Sequence, residues 1–320
     1  MLMTTPFTAA VVQAASIPFD LEASLEKAHR LILEAAATGA KLVLFPEAFL
    51  SGYPAGFSFG TVVGKRSPEG RRLWERYWRS SLAVPSLATD RLAEAAREAG
   101  VFLAMGAIEK DNQGSGGTLY CSLLYFGPDG RLLGKHRKLK PTAAERYIWG
   151  EGDGSTMPVL ATDVGKIGGL ICWENYMPLA RMAMYGKGVE LYLAPTADSR
   201  DSWQATIRHI ACEGRCYVLS CNQYFTKEMV PADFEGREEL RDQPEVLSRG
   251  GSAIISPLGE VLAGPLFDQE GILTAELDLA EVASGKYDFD VVGHYARPDV
   301  FQLVVNEEPA QTVVNKKVDS

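Results

Sequence analysis

"TLYCSLLYFGPDGRLLGKHRK", residues 118–138, decides the fold class. Two strand-like runs, "TLYCSLLYF" and "RLLGKHRK", flank "GPDG". Pro, Asp and Gly together make a tight turn, so the two runs lie antiparallel as a hairpin. "GGSAIISPLGEVLAG" (250–264) and "GILTAELDL" (271–279) repeat the pattern near the C-terminal end. Between these hairpins the chain alternates helix and strand. "FTAAVVQA" (7–14), "KLVLFPE" (41–47), "VFLAMGAIE" (101–109), the run ending at Cys172, "VELYLAP" (189–195) and "YVLSCNQY" (217–224) read as strands. Helices are predicted after Asp20, over "RRLWERYWR" (71–79), "TDRLAEAAREAG" (89–100), "PLARMAMYGKG" (178–188) and "SWQATIRHIACEGRC" (202–216). In the first of these, Leu21, Leu25, Ala28, Ile32 and Ala36 recur on one face, Asp20 caps the start and Gly39 marks the stop. A purely parallel doubly wound sheet has no place for the hairpins. The pattern predicts an α/β fold of two mixed sheets packed face to face, with helices outside.

The 320 residues are 46% hydrophobic, enough for one large core, and carry a net charge of -9. An acidic surface repels phosphate backbones, so no nucleic-acid partner is expected. Apolar runs such as 42–45 and 167–172 are too short to span a bilayer, so no membrane partner is expected either. The first residues, "MLMTTPFTAAVVQAAS", lack the positive region of a signal peptide. Five cysteines are an odd count in a long chain and do not make a disulfide framework. These features predict a cytoplasmic protein. Residues 1–306 read as one domain, with a charged surface insertion over 226–249 and a loose polar tail over 307–320.

Cys172 closes an apolar run and is followed at once by Trp173 and Glu174. A buried free cysteine is usually a core residue. Its place at a strand's C-terminal end, where α/β sites collect, makes it a candidate nucleophile. A helix starting near Pro178 would favour its thiolate by aiming N–H groups at it. Histidine is the usual base, but His29 and His209 lie in helices, His136 sits in a basic strand end, and only His294 is in an obvious loop. Glu47 ends "LVLFP" and is the better base, because burial raises a carboxylate's proton affinity. Lys138 ends the hairpin's second strand, where an ammonium would stabilise a thiolate and a developing anion. Its alternative is membership of a solvated basic run, "KHRKLK". Tyr53 and Phe57, on the loop after Glu47, and Trp173 are candidate aromatic walls for a substrate, with Trp173 the most core-like of the three. His209, Cys212, Cys216 and Cys221 form "HIACEGRCYVLSC", but helix-and-strand spacing among core residues is not a zinc knuckle, and no metal or other cofactor is expected.

"LFPEAFLSGYP", "GKHRKLKPTAAERYIWGEGDGS" and "GGLICWENYMPLAR" together resemble the nitrilase branch of the nitrilase superfamily of carbon–nitrogen hydrolases. The resemblance runs from "AAVVQAA" to "GHYARPDVF", nearly the whole chain. It implies a four-layer αββα sandwich and a Glu–Lys–Cys triad at Glu47, Lys138 and Cys172, with the family's second glutamate at Glu145. It also implies a small-molecule nitrile substrate, a thioimidate and then a thioester on the cysteine, and release of a carboxylic acid and ammonia, with the amide as a side product. A homo-oligomer, from a dimer up to a spiral, is implied as well. The aromatic candidates point to aromatic or arylaliphatic nitriles. An amidase or carbamoylase of the same superfamily, or a silent assembly scaffold, are the alternative readings.

Overall fold

The computed structural model describes residues 5–112, 114–232 and 234–314. The first sheet holds β1 (Phe7–Gln13), β2 (Ala40–Leu44), β3 (Leu82–Ala83), β4 (Phe102–Lys110), β5 (Leu119–Phe126) and β6 (Leu132–Arg137). The second holds β7 (Val159–Thr162), β8 (Gly165–Gly169), β9 (Leu191–Pro195), β10 (Tyr217–Cys221), β11 (Tyr224–Thr226), β12 (Val246–Ile255) and β13 (Val261–Phe267). The last strand, β14 (Gly271–Leu277), returns to the first sheet and runs antiparallel to β1. Orders are β14-β1-β2-β4-β5-β6 and β11-β12-β10-β9-β8-β7, with β3 beside β4 and β13 beside β12. Pairs β1/β2, β2/β4, β8/β9 and β9/β10 are parallel, whereas the hairpins β5/β6 and β12/β13 are antiparallel. Both sheets are therefore mixed, as the hairpin sequences require.

Side chains of successive residues point to opposite sheet faces, and in the central strands β1 and β9 both faces are dry. Ala9 and Val11 face the second sheet, while Ala10 and Val12 face outward onto helices. On β9, Leu191 and Leu193 face the central layer, and Tyr192 and Ala194 face out. The outer layer on the first sheet contains α1 (Leu21–Ala37) and α3 (Leu87–Ala99). After α2 (Pro68–Arg79), which borders the aromatic loop, α4 (Pro178–Gly186) and α5 (Asp201–Gly214) cover the second sheet. The αββα sandwich follows. Asp20 caps α1 by accepting from the Ala23 N–H, and α1 buries Leu25, Ala28 and Ile32, with Leu31 and Ala35 joining the stripe and Leu21 and Ala36 packing at its half-buried edges.

Segment 226–249 is less of a surface insertion than its charge suggests. Val230, Phe234 and Leu240 are buried, and Phe234 stacks on Phe19 with ring centroids 4.4 Å apart. These three apolar side chains fold inward while Glu228, Glu235 and Glu238 stay in water. In the tail, residues 315–320 lie outside the described region. The preceding part is tethered: Glu307 pairs with Lys187 at 2.6 Å, and the Ala310 N–H donates to Asp153. No helix among the described residues is long and apolar enough to cross a membrane.

Candidate active site

Glu47, Lys138 and Cys172 sit just beyond three strand ends, each carried by a turn. Past β2 the chain bends through Pro46 and Glu47 to Ala48, which has φ +52°. Gly106 on β4 makes room for this bend, because a Cβ there would lie 1.9 Å from the Pro46 carbonyl oxygen. Lys138 follows β6, and its N–H donates to the Cys121 carbonyl across the hairpin at 2.8 Å. β8 stops at Gly169, three residues short of the thiol. A Cβ on Gly169 would meet the Leu193 oxygen at 1.9 Å, so glycine lets β8 and β9 run close, and Ile171 and Cys172 then enter the central layer. Cys172 then opens a short 3-10 helix (Cys172–Tyr176) at φ +53°, a left-handed conformation that costs a non-glycine residue about 1 kcal/mol.

The four motif residues meet. Lys138 Nζ donates to Glu47 Oε1 at 2.6 Å and to Glu145 Oε2 at 2.8 Å. Glu145 also accepts from the Thr142 N–H and from the Tyr53 hydroxyl, the latter at 2.8 Å. Cys121 directs its thiol at Glu47 Oε1 from 3.6 Å. Glu47 Oε2 is buried without a hydrogen-bond partner, and the Glu47 carboxyl interacts with the Cys172 thiol. One carboxylate oxygen is thus anchored by Lys138, and the other is not engaged by any donor. Lys138 is fully buried, as are Glu47 and Cys172 to within a few per cent.

Burial pushes the Glu47 carboxyl above its usual range, with Glu145 adding to the shift and Lys138 opposing it. Burial alone would lower the Lys138 ammonium, but Glu47, Cys172 and Glu145 outweigh it and hold the ammonium charged. Burial, with Glu47, pushes the Cys172 thiol well up, so the resting sulfur is protonated. This corrects the expectation of a thiolate favoured by the helix at Pro178. The donors at the sulfur come from the loop after β9: the Thr196 hydroxyl at 3.2 Å and the Ala197 N–H.

A cleft of about 270 Å³ reaches Cys172, with Tyr53, Glu145, Trp173, Asp198 and Arg200 in its walls. Trp173 is 39% exposed, so it is a wall and not core. Its indole N–H donates to Asp198 at 2.8 Å, and Arg200 lies 4.8 Å over its ring. Phe57 does not line this cleft. It packs edge-on against Phe19 and Phe234, and it borders a neighbouring cavity of about 390 Å³ that shares Tyr53 and Glu145 as walls. The inward fold of segment 226–249 draws it away. Of the other histidines considered, His29 and His209 are exposed and pair with Glu98 and Glu213. No group of three or more His, Cys, Asp or Glu able to hold a metal occurs among the described residues.

Sequence reasoning missed Glu174 and Thr196. Glu174, two residues from the thiol, is a brace and not a base. Its oxygens accept from the Ile171 N–H at 2.7 Å, the Leu139 N–H at 2.6 Å and His136 Nε2 at 2.9 Å. His136 Nδ1 faces the Thr156 carbonyl at 2.7 Å, so both ring nitrogens act as donors and the ring is an imidazolium. Burial would push it down, but Glu174 and the Thr156 carbonyl hold it above its ordinary value. The pair ties the Lys138 strand end to the Cys172 turn. A Glu two positions after a strand-end Cys, with a His two positions before the Lys, was the available signal. Glu174→Gln will set an amide N–H against one of the backbone donors and break a buried ion pair, at a cost of about 3–5 kcal/mol. Melting should drop by on the order of 10 °C. A raised imidazolium contributes fully below its unfolded value and fades as pH rises through its folded value. The gap between wild type and variant should therefore narrow toward alkaline pH; a pH-independent gap would contradict the pairing.

The sequence model of the carbon-nitrogen hydrolase family matches residues 8–287. The chain is 57% identical to an aliphatic nitrilase of Sinorhizobium fredii (strain HH103), over 98% of this chain and 99% of that one. It is 54% identical to a bifunctional nitrilase/nitrile hydratase, NIT4A, of Lupinus angustifolius, covering 95% of this chain and 87% of the relative. In fold it is similar to Saccharomyces cerevisiae Nit3, described as a member of branch 10 of the nitrilase superfamily, with TM-score 0.70 and 24% identity over 91% of this chain and 96% of that one. The chain belongs to the carbon–nitrogen hydrolase family, in its nitrilase branch.

Proposed function

We propose that this nitrilase converts an organic nitrile to its carboxylic acid and ammonia through Cys172, with Glu47 as base. The observation that carries this reading is the unpartnered Glu47 oxygen beside a thiol, with its twin oxygen fixed by Lys138. Glu47 takes the thiol proton as sulfur adds to the C≡N carbon. Burial makes the Glu47 carboxylate a stronger base than a free one, which favours that transfer. Charge grows on the nitrile nitrogen and is met by Lys138. The Trp173 N–H, a first-turn group with no intrahelical acceptor, also meets it. Protonation of that nitrogen gives the thioimidate. Water adds to the thioimidate carbon, the C–N bond breaks and ammonia leaves a thioester. A second water releases the acid and restores the thiol. Glu145 anchors Lys138 and stands where it can also pass a proton to or from water. Breakage of the C–S bond instead releases the amide, a side path consistent with the double name of the lupin relative.

The aromatic walls Tyr53 and Trp173 support aromatic or arylaliphatic nitriles. The name of the Sinorhizobium relative supports an aliphatic preference as the second reading. A panel of aryl, arylacetic and aliphatic nitriles and matching amides, scored for ammonia, acid and amide, decides between them and separates a nitrilase from an amidase. The acid limb of kcat/KM for the best nitrile should lie above the ordinary carboxylate value of 4.5, because activity needs ionised Glu47 and is lost as pH falls through its raised value. A flat profile down to that value would remove Glu47 as base. Exposed Tyr287, Phe301 and Val304 on the C-terminal arm support self-association as a homo-oligomer. The acidic chain and its short apolar runs support a cytoplasmic location.

A further inference from the structure

Thr196 does not belong to the four motif residues, yet its hydroxyl touches the reacting sulfur. It is 1% exposed, on the loop leaving β9, with its own N–H bonded to the Cys221 carbonyl. The Asp198 N–H donates to Thr196 Oγ1 at 2.9 Å, and Thr196 Oγ1 donates to Cys172 Sγ at 3.2 Å. Asp198 is itself fixed by Arg200 Nε at 2.8 Å and by the Trp173 indole at 2.8 Å. The hydroxyl proton is therefore aimed by a chain of donors that begins at the cleft wall. A hydrogen bond to sulfur strengthens as sulfur gains charge.

We propose that Thr196 is a further catalytic residue that stabilises Cys172 as a thiolate, both when it attacks and when it leaves, and so sets the share of turnovers that end as amide. The inference rests on the nitrile-hydrolysis reading. After water adds to the thioimidate, one carbon holds OH, an amino group and sulfur. In one exit the nitrogen takes a proton, the C–N bond breaks, its electrons leave with ammonia, and the carbon stays on sulfur as a thioester. In the other the C–S bond breaks, its electrons stay on sulfur, the hydroxyl proton returns to the thiolate through Glu47, and the amide departs. Nothing is oxidised or reduced in either exit. Only the second leaves full charge on sulfur, so only it gains the full Thr196 hydrogen bond.

The test compares wild type with T196V, which removes the hydroxyl at nearly constant volume, and T196S, which keeps it. Substrates are nitriles with an electron-withdrawing α-substituent, such as α-fluoro nitriles, which disfavour ammonia loss. Acid, amide and ammonia are measured together, with melting temperature as the folding control and T196A in reserve if T196V does not fold. T196V should lower both kcat/KM and the amide-to-acid ratio by roughly tenfold, the scale of one hydrogen bond to a charged group with sulfur as a weak acceptor. T196S should restore both. A merely structural role would lower kcat/KM without moving the product ratio. An unchanged ratio in a folded T196V, or no amide from wild type on any of these nitriles, overturns the proposal. Absence of ammonia from every nitrile with wild type would instead overturn the nitrile-hydrolysis reading beneath it.

Discussion

Cys172→Ala will abolish nitrile turnover and leave the protein folded. Loss of kcat/KM should exceed about 10⁴-fold, because every intermediate of the proposed reaction is held through a bond to that sulfur. Alanine keeps the Cβ, so the strain of φ +53° at this position is unchanged. It leaves Glu47, Lys138 and Glu145 bonded to one another as before. Melting should therefore shift little. Cys172→Gly tests the backbone separately: it should be just as inactive but about 1 kcal/mol more stable than the alanine variant, because glycine adopts a left-handed φ without cost. Cys172→Ser should not rescue. Burial that already pushes a thiol well up will hold a hydroxyl, the weaker acid, far from ionisation. Activity of the alanine variant within tenfold of wild type would end the nucleophile assignment.

Lys138→Met should be nearly as damaging and will show in stability too. The ammonium is fully buried between two carboxylates, and methionine fills much of its volume without charge. Removing one partner of a buried charge cluster costs about 3–5 kcal/mol, because the remaining charges lose their compensation. Losing the donor to the nitrile nitrogen should cost about 10²–10³-fold in kcat. Lys138 is also what opposes the upward push on Glu47. Without it, burial pushes Glu47 up unopposed, and the acid limb of the residual activity moves to higher pH. Denaturant melts and a pH profile check the two parts. A variant with normal stability and an unmoved acid limb would show that the ammonium is not the counter-charge of this cluster.

Much of the architecture was legible because it is written in local signals. The GPDG hairpin demanded an antiparallel pair, and β5/β6 pair that way from Ser122–Arg137 to Phe126–Leu132. Asp20 and Gly100 end their helices as capping chemistry requires. The meeting of Glu47, Lys138, Cys172 and Glu145 was legible only through the motifs, since these residues lie up to 125 positions apart by their numbers, 172 less 47. What escaped was set by tertiary context. Phe57 packs on Phe19 and Phe234, which come from distant segments, and so borders the neighbouring cavity and not the cleft at Cys172. Glu174 was missed because its role is set by three donors from two strand ends, which claim both its oxygens. Thr196 carries no motif signal at all. Its role depends on β9 lying beside β8, a parallel pairing with no local signature.

The most direct test of the central claim is intact-protein and peptide mass spectrometry of the enzyme quenched during turnover of a nitrile. The expected result is a mass increase equal to the bound acyl or imidoyl group, on the peptide carrying Cys172 alone and absent from Cys172→Ala. Sustained turnover with that peptide unmodified and the adduct on Cys121 or on no residue would contradict attack by Cys172 sulfur.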